Sequence, residues 1–271
     1  MKIGVSTATY FSRMYTEEAL LPIAKLGADT CEVFFASRCE YTQEFGDTLN
    51  RRLEIARQYA PLQVHSVHAL TNQFEPELFS VNDRAYSDAL ETYESVLRVG
   101  KQIGAKHYTF HGATMIKMAV KYNFDFNRIS SRVDNLIDMA SKYGINFCYE
   151  NVHWTYFSTP QYFARLKELC PRLSCTLDIK QAMQSGIDYT EYLAVMKDRL
   201  STVHLCDYTK DGKLAIPGRG DFDFVTFFKR LADSGYDGVC LMELYAKDYK
   251  DDTDLKDAYA YLLDCLGRAE N

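Results

Sequence analysis

The chain of 271 residues carries 31 Lys and Arg against 37 Asp and Glu, which gives a formal net charge of −6 with His neutral. Nucleic-acid binders draw most of their affinity from clustered Lys and Arg, so this charge argues against a nucleic-acid partner. Hydrophobic residues make up 47% of the chain and charged residues 25%, which is the composition of a globular protein and excludes general disorder.

No stretch of the sequence approaches the ~20 apolar residues of a membrane span, and the first residues lack the long apolar region of a signal peptide. We therefore predict a cytoplasmic protein without a membrane partner. The eight cysteines include no CxxC pair. In a reducing compartment we expect them to be buried and unpaired.

Apolar segments of strand length alternate with segments of helical periodicity along the whole chain. In chain order the predicted strands are 2–6, 29–35, 62–68, 107–111, 145–150, 173–178, 202–206 and 238–244, and the helices that follow them are 16–27, 49–59, 83–104, 127–144, 160–170, 190–199, 222–234 and 254–266. Eight such units fit a closed, parallel (β/α)8 barrel. No Gly-, Ser- or Pro-rich linker divides them, so we predict one TIM-barrel domain over residues 1–271.

The alternative fold is an open, doubly wound sheet. Such sheets usually have a glycine-rich dinucleotide-binding loop after the first strand. In this chain the corresponding turn reads STATY over residues 6–10 and contains no GxGxxG motif. We therefore favour the barrel and expect no nucleotide cofactor.

Acidic and histidine side chains stand at or near the carboxyl ends of most predicted strands, where barrels of this type place their chemistry. In chain order they are His68, His111, Glu150, Asp178, His204 and Glu243. Buried carboxylates need a compensating positive charge, and a divalent cation would supply it. We predict a site for one divalent metal, Mn, Mg, Co or Zn, held by Glu150, Asp178, His204 and Glu243. The alternative is a set of salt bridges to Lys180, Lys210 or Arg219.

Five short motifs occur in a characteristic order: YENV at 149–152, TLD at 176–178, VHLCD at 203–207, IPGRGDFD at 216–223 and ME at 242–243. In that order and spacing they resemble the xylose isomerase-like barrels. This family includes ketose 3-epimerases, other sugar isomerases and epimerases, and the endonuclease IV type of apurinic endonuclease. The resemblance covers essentially the whole chain.

The resemblance to the epimerase branch implies the same four metal ligands, with Glu150 and Glu243 as the acid and base on opposite faces of the substrate. Its members are often homo-oligomers. A metal that chelates a carbonyl and a neighbouring hydroxyl acidifies the adjacent C–H and stabilises the enediolate. We therefore expect an isomerase or epimerase that acts on a ketose or related polyol ketone, as a free sugar or a sugar phosphate.

One position departs from the family pattern. Gln181 stands where family members commonly have a histidine, and glutamine cannot act as a charged acid near neutral pH. We expect Gln181 and its neighbour Lys180 to contact the substrate. Arg219 lies in the loop before the helix at 222–234, for which Asp221 is the predicted N-cap. Arg219 fits a substrate contact and a solvated loop residue equally well.

His68 and His111 have two interpretations. They hydrogen-bond substrate or neighbouring carboxylates, or they join Glu150 in a second metal site, as the endonuclease branch implies. That branch would also have histidine at position 181 and another after the seventh strand, but residues 207–217 contain none. Three other functions stay open: a related metal-dependent lyase or dehydratase, an endonuclease IV-like phosphodiesterase, and a sugar-binding barrel without turnover.

Overall fold

The computed structural model describes residues 1–115 and 123–270 of the chain. The barrel strands are β1 (Lys2–Ser6), β2 (Thr30–Phe35), β3 (Gln63–Ala69), β4 (His107–Phe110), β5 (Asn146–Glu150), β6 (Ser174–Asp178), β7 (Leu200–Leu205) and β10 (Val239–Met242). They form a closed barrel in the order β1-β10-β7-β6-β5-β4-β3-β2, and all neighbours pair in parallel. A small antiparallel hairpin, β8 (Asp207–Tyr208) with β9 (Leu214–Ala215), follows β7.

Helices occupy the connections between successive barrel strands, and a last helix follows β10. They are α1 (Leu20–Lys25), α2 (Gln43–Ala56), α3 (Asp83–Gln102), α4 (Phe126–Lys142), α5 (Pro160–Leu169), α6 (Ile179–Gln184), α7 (Tyr189–Met196), α8 (Phe224–Asp233) and α9 (Asp252–Glu270). Short 3-10 segments lie at Thr7–Tyr10, Arg38–Glu40, Thr71–Gln73 and Glu75–Phe79. The predicted (β/α)8 barrel is confirmed.

The predicted strands agree with the observed ones to within two residues at each end. The reason is that barrel strands are covered on both faces and therefore appear in the sequence as nearly continuous apolar runs. In β2, for example, all six residues are buried.

Helix starts were predicted less well, because capping residues rather than apolar periodicity decide them. Helix α2 begins at Gln43, ahead of the predicted residue 49, since the Thr42 side chain caps its first turn. Helix α8 begins at Phe224 with Asp223 as its N-cap. The predicted cap, Asp221, instead accepts a hydrogen bond from a backbone N–H in the preceding loop.

The cysteines are unpaired in the structure, as predicted. All are buried except Cys39, which is exposed and corrects that part of the prediction. Cys39 belongs to the short 3-10 segment Arg38–Glu40 that follows β2, outside the barrel strands. Among the helices that the structure describes, none is long and apolar enough to cross a membrane.

Asp207 organises the segment between β7 and α8. Its Oδ1 accepts hydrogen bonds from the backbone N–H groups of Tyr208 and Phe222, and its Oδ2 accepts from those of Gly218 and Gly220. The carboxylate is buried, so these four N–H groups provide the polar partners that solvent cannot. One side chain thus fixes both ends of the loop that carries the GRGD motif.

We predict that Asp207→Asn destabilises the protein by about 2–3 kcal/mol, because an amide NH2 would replace an oxygen that faces two N–H donors. Urea unfolding measures this change as a shift of the transition midpoint at an unchanged dependence of the unfolding free energy on urea. Asp221→Asn is the matched control, since Asp221 accepts one bond from Lys210 N in an exposed part of the same loop. Equal stabilities of the two variants would contradict the role assigned to Asp207.

Two histidines lie inside the barrel toward the amino ends of their strands, away from the carboxyl ends. The rings of His65 and His107 stack with their centroids 4.4 Å apart, and His65 Nε2 lies 2.9 Å from Thr202 Oγ1. Burial lowers the pKa of His107 to about 4. Burial, followed by repulsion from His107, lowers the pKa of His65 to about 3. Both rings are therefore neutral in the folded protein at neutral pH.

From the lowered pKa values of these two histidines we predict that their protonation in acid destabilises the fold. Between about pH 6.5, the ordinary histidine value, and pH 4 these two side chains bind more protons in the unfolded chain than in the folded one. Their contribution to stability should therefore fall as the pH is lowered through this range. For each ring, the unfolding equilibrium constant rises by up to about tenfold per pH unit. His107→Gln should show a shallower fall in urea titrations at pH 4.5, 5.5 and 6.5. The same pH dependence in both proteins would contradict the prediction.

Candidate active site

The four predicted metal ligands meet at the carboxyl end of the barrel. Asp178 and His204 are register partners on the adjacent strands β6 and β7, Glu150 ends β5, and Glu243 follows β10. His204 Nδ1 lies 3.2 Å from Glu150 Oε1, 3.6 Å from Glu243 Oε2 and 4.0 Å from Asp178 Oδ2. All four side chains are buried. The parallel strands thus bring together residues that are far apart in the sequence.

Two carboxylate oxygens in this cluster have no hydrogen-bond partner. They are Glu150 Oε2 and Asp178 Oδ2, and both are buried. A buried acceptor without a partner is costly and calls for a specific explanation. One atom each of Glu150, Asp178 and His204 lie within 4.8 Å of one another, close enough to hold one ion. This set of oxygen and imidazole donors suits a divalent cation.

His68 and His111 form a second group beside the first. Their Nε2 atoms are 2.6 Å apart, and His111 Nε2 lies 3.5 Å from Glu150 Oε2. The other ring nitrogens face buried carboxylates, since His68 Nδ1 is 3.2 Å from Glu32 Oε1 and His111 Nδ1 is 3.0 Å from Glu75 Oε2. A carboxylate on one ring nitrogen is the arrangement that orients histidines as metal ligands. Both predicted interpretations, contact with carboxylates and a second metal site, are compatible with this geometry.

Glu32 is a central residue of the site that the sequence analysis missed. It is fully buried in the middle of β2 and accepts hydrogen bonds from the hydroxyls of Ser6, Ser66 and Thr109. Its carboxylate also lies 3.3 Å from His204 Nε2. The available signal was a lone acidic residue inside the apolar run TCEVFF. Glu32 does not stand at a strand end, so the search for polar strand ends did not identify it.

Glu75 is the second missed residue. It lies in the short 3-10 segment after β3 and is fully buried. Its Oε1 accepts from the hydroxyl of Tyr108, and its Oε2 accepts from the backbone N–H of His111 at 3.0 Å. No periodic pattern in the sequence marks this segment, so no sequence signal identifies Glu75.

Burial and neighbouring charges together determine which groups of the cluster are protonated. Burial raises the pKa of Asp178 to about 6, against the lowering effect of Lys180. Burial also acts to raise the pKa of Glu243, but the charges of Lys180 and His204 outweigh it and hold the value at about 2. Burial disfavours the charged form of His204. The nearby carboxylates of Glu32 and Glu243 outweigh this effect and raise the pKa of His204 well above the ordinary histidine value. Without a metal, His204 is therefore a cation that faces carboxylates, and a metal that bound it would displace a proton.

Lys180 and Gln181 both reach the site from α6. Lys180 Nζ lies 3.0 Å from Glu243 Oε2 and 3.5 Å from Asp178 Oδ2. Gln181 Oε1 accepts from His153, from its backbone N–H at 3.3 Å and from its ring Nδ1 at 2.7 Å. Gln181 is thus held in place by the residue that follows the YENV motif.

Arg219 lies elsewhere. Its guanidinium is exposed and pairs with the Asp254 carboxylate in the first turn of α9. Asp254 also accepts from the backbone N–H of Lys250, which ties this pair to the loop before α9. A substrate contact by Arg219 stays a prediction.

A cavity of about 210 Å³ opens onto the cluster. Its polar side is lined by His68, His111, Glu150, Lys180, Gln181 and Glu243. Its apolar side includes Phe11, Phe34, Trp154 and Tyr245. A larger cavity of about 600 Å³ lies beside it and shares Phe11 and Phe34 as walls. The site therefore combines convergent acid and base groups with an apolar wall, a combination typical of small-molecule sites.

Sequence relatives of the chain include dehydratases. The chain is 25% identical over 139 residues to an inosose dehydratase of one Clostridium perfringens strain, which covers 44% of this chain and 47% of the relative. It is 23% identical over 181 residues to the inosose dehydratase of another strain, which covers 65% of this chain and 54% of the relative. The chain thus spans about half the length of the curated relatives it matches.

Solved structures with the same fold include epimerases and a dehydratase. D-psicose 3-epimerase from Clostridium cellulolyticum H10 superimposes with a TM-score of 0.78 at 18% identity, over 98% of this chain and 99% of that one. The probable 3-DHS dehydratase from Bacillus anthracis gives a TM-score of 0.79 at 13% identity, over 97% and 99% of the two chains. At these identities the likeness shows the fold.

A family model matches most of the chain by sequence. The model described as xylose isomerase-like TIM barrel matches residues 20–266, from the start of α1 to the last turns of α9. Since this match spans nearly the whole closed barrel and all of the clustered carboxylates and histidines, the chain belongs to the xylose isomerase-like TIM barrel family.

Proposed function

We propose that the protein is a metal-dependent enzyme that moves a proton at the carbon next to the carbonyl of a small polyhydroxy ketone. The observation that carries this proposal is the pair Glu150 and Glu243. Both carboxylates are buried, both line the same cavity, and His204 Nδ1 lies within 3.6 Å of each. Two carboxylates that reach one cavity from separate strands can remove a proton from one face of a carbon and return one to its other face.

The metal would be held by Glu150, Asp178, His204 and Glu243. The oxygens of Glu150 and Asp178 that lack hydrogen-bond partners support this choice. When bound, a divalent cation supplies positive charge that stabilises the negative charge developing on the substrate oxygens. Its identity among Mn, Mg, Co and Zn is left to experiment.

The remaining polar groups of the cavity would bind and orient the substrate. His68 and His111 present ring nitrogens beside Glu150, and the carboxylates of Glu32 and Glu75 fix the two rings. Lys180 and Gln181 offer an ammonium and an amide for substrate hydroxyl groups. The apolar wall would exclude water from the reacting carbons. We propose a free sugar or sugar phosphate as substrate; a homo-oligomeric state and a cytoplasmic location stay predictions.

Epimerisation is the favoured reaction, and dehydration is the second candidate. Similar proteins carry both names, D-psicose 3-epimerase among the structures and inosose dehydratase among the sequences. Both reactions begin when a base removes the proton next to a carbonyl. They differ in the next step, because a dehydratase must protonate and release a hydroxyl group. The Lys180 ammonium beside the cavity is the observation that keeps dehydration under consideration.

We predict that Glu150→Gln lowers the rate of exchange between a substrate C–H and deuterium oxide by at least about 100-fold, because the amide cannot accept the proton. Mass spectrometry and NMR over a panel of ketoses and inososes measure the exchange. A product of unchanged mass apart from deuterium indicates epimerisation, and a loss of 18 mass units indicates dehydration. Glu18→Gln, an exposed glutamate on the neighbouring cavity, is the control. Exchange that survives in Glu150→Gln would contradict the proposed role.

We also predict one divalent cation per chain in protein purified without chelator, measured by plasma mass spectrometry. Asp178→Asn should weaken metal binding at least about tenfold, because it neutralises the carboxylate whose Oδ2 has no hydrogen-bond partner. Asp188→Asn, which changes only the cap of α7, should bind metal as the wild type does. Two or more zinc ions per chain would contradict the single-metal prediction. That result would place a metal between His68 and His111 and favour a phosphodiesterase.

A further inference from the structure

Lys180 occupies an unusual place for a lysine, because its ammonium is buried among the proposed metal ligands. Asp178 is the N-cap of α6, and its Oδ1 accepts from the backbone N–H of Gln181. This turn makes Lys180 the second residue of the helix and directs its side chain back toward the strand ends. Only 4% of the residue is exposed.

The ammonium contacts the oxygens that a metal would need. Lys180 Nζ lies 3.0 Å from Glu243 Oε2 and 3.5 Å from Asp178 Oδ2. Asp178 Oδ2 is one of the two buried carboxylate oxygens of the cluster that have no hydrogen bond. Glu243 Oε2 is the oxygen that also faces His204 Nδ1, at 3.6 Å. An ammonium and a divalent cation would therefore compete for the same two atoms.

The ammonium has a second partner on the cavity side. Lys180 Nζ lies 4.8 Å from the centroid of the Tyr245 ring, within the range of a cation–π interaction. Both residues line the cavity that opens onto the cluster. The ammonium that pairs with the carboxylates therefore already lies beside an aromatic face, which would remain next to its charge if a metal displaced it from them.

We propose that the Lys180 ammonium and the divalent cation are alternative occupants of the Asp178–Glu243 oxygen pair. Lys180 stabilises the two carboxylates while no metal is present, and metal binding moves the ammonium toward Tyr245 and the cavity. This proposal rests on the metal binding set out under the proposed function. Its consequence is weaker divalent binding than the same carboxylates would give without the lysine, since like charges a few ångströms apart repel strongly inside a protein.

The test is calorimetric titration of Mn²⁺ into the full chain after chelator treatment. Lys180→Met should bind Mn²⁺ at least about tenfold more tightly than the wild type, because the competing charge is gone. Lys247→Met is the matched control, since the Lys247 ammonium also lies near the Tyr245 ring, at 5.5 Å, without an ion pair to the two carboxylates. Its affinity should stay within about twofold of the wild type. Equal or weaker Mn²⁺ binding by Lys180→Met would overturn the proposal.

Thermal unfolding gives an independent readout. Without metal, Lys180→Met should melt below the wild type, because it leaves two buried carboxylates without their cation. Saturating Mn²⁺ should then raise its melting temperature by more than it raises that of the wild type. If Lys180→Met does not fold, Lys180→Gln is measured instead, since its amide removes the charge but can still donate to Glu243. The same Mn²⁺-induced shift in the variant and the wild type would overturn the proposal.

The outcomes separate this proposal from the proposed function. Both measurements are made without substrate, so failure to convert any ketose leaves them unaffected. If Mn²⁺ binds the wild type and Lys180→Met equally, the lysine proposal fails and the proposed enzyme stands. If none of the proteins binds Mn²⁺, the metal-dependent function and the lysine proposal both fail.

Discussion

Negative charge at the carboxyl end of the barrel is the constraint on which the site depends. Five buried carboxylates crowd around the histidines there: Glu32, Glu75, Glu150, Asp178 and Glu243. Ionised carboxylates are stable out of water only with hydrogen bonds and opposite charges. Hydroxyls from three strands satisfy Glu32, and Tyr108 and His111 satisfy Glu75. The other three depend on His204, Lys180 and the proposed metal.

Much of this site could be predicted from sequence because parallel strands have a simple geometry. Strand ends were recognisable as apolar runs, and their last residues had to meet at one end of the barrel. Asp178 and His204 are even direct register partners. Glu32 could not be found by that rule, since it lies in the middle of β2, two residues after the strand begins. Glu75 comes from a short 3-10 segment that no periodic pattern in the sequence marks.

The starts of several helices are a second feature that the sequence patterns did not predict accurately. Apolar periodicity located the helices, but side-chain caps set where they begin, as Thr42 does for α2 and Asp223 for α8. The short helix α6 was not predicted at all. Asp178 was predicted as a metal ligand, and its observed role as the N-cap of α6 was overlooked. The N-cap role matters because it fixes the start of α6 and therefore the direction of the side chains that follow Asp178.

The two carboxylate oxygens of Asp178 have different roles, one as the N-cap of α6 and the other in the proposed metal site. Oδ1 is committed to the backbone N–H of Gln181, which fixes the carboxylate and starts the helix, and Oδ2 is left for the site. The helix start in turn brings the Lys180 ammonium to within 3.5 Å of Oδ2. The turn that orients the proposed metal ligand therefore also places the ammonium that we propose as the metal's competitor. If both proposals hold, the same few backbone residues set the metal affinity and the position of a charged group at the cavity.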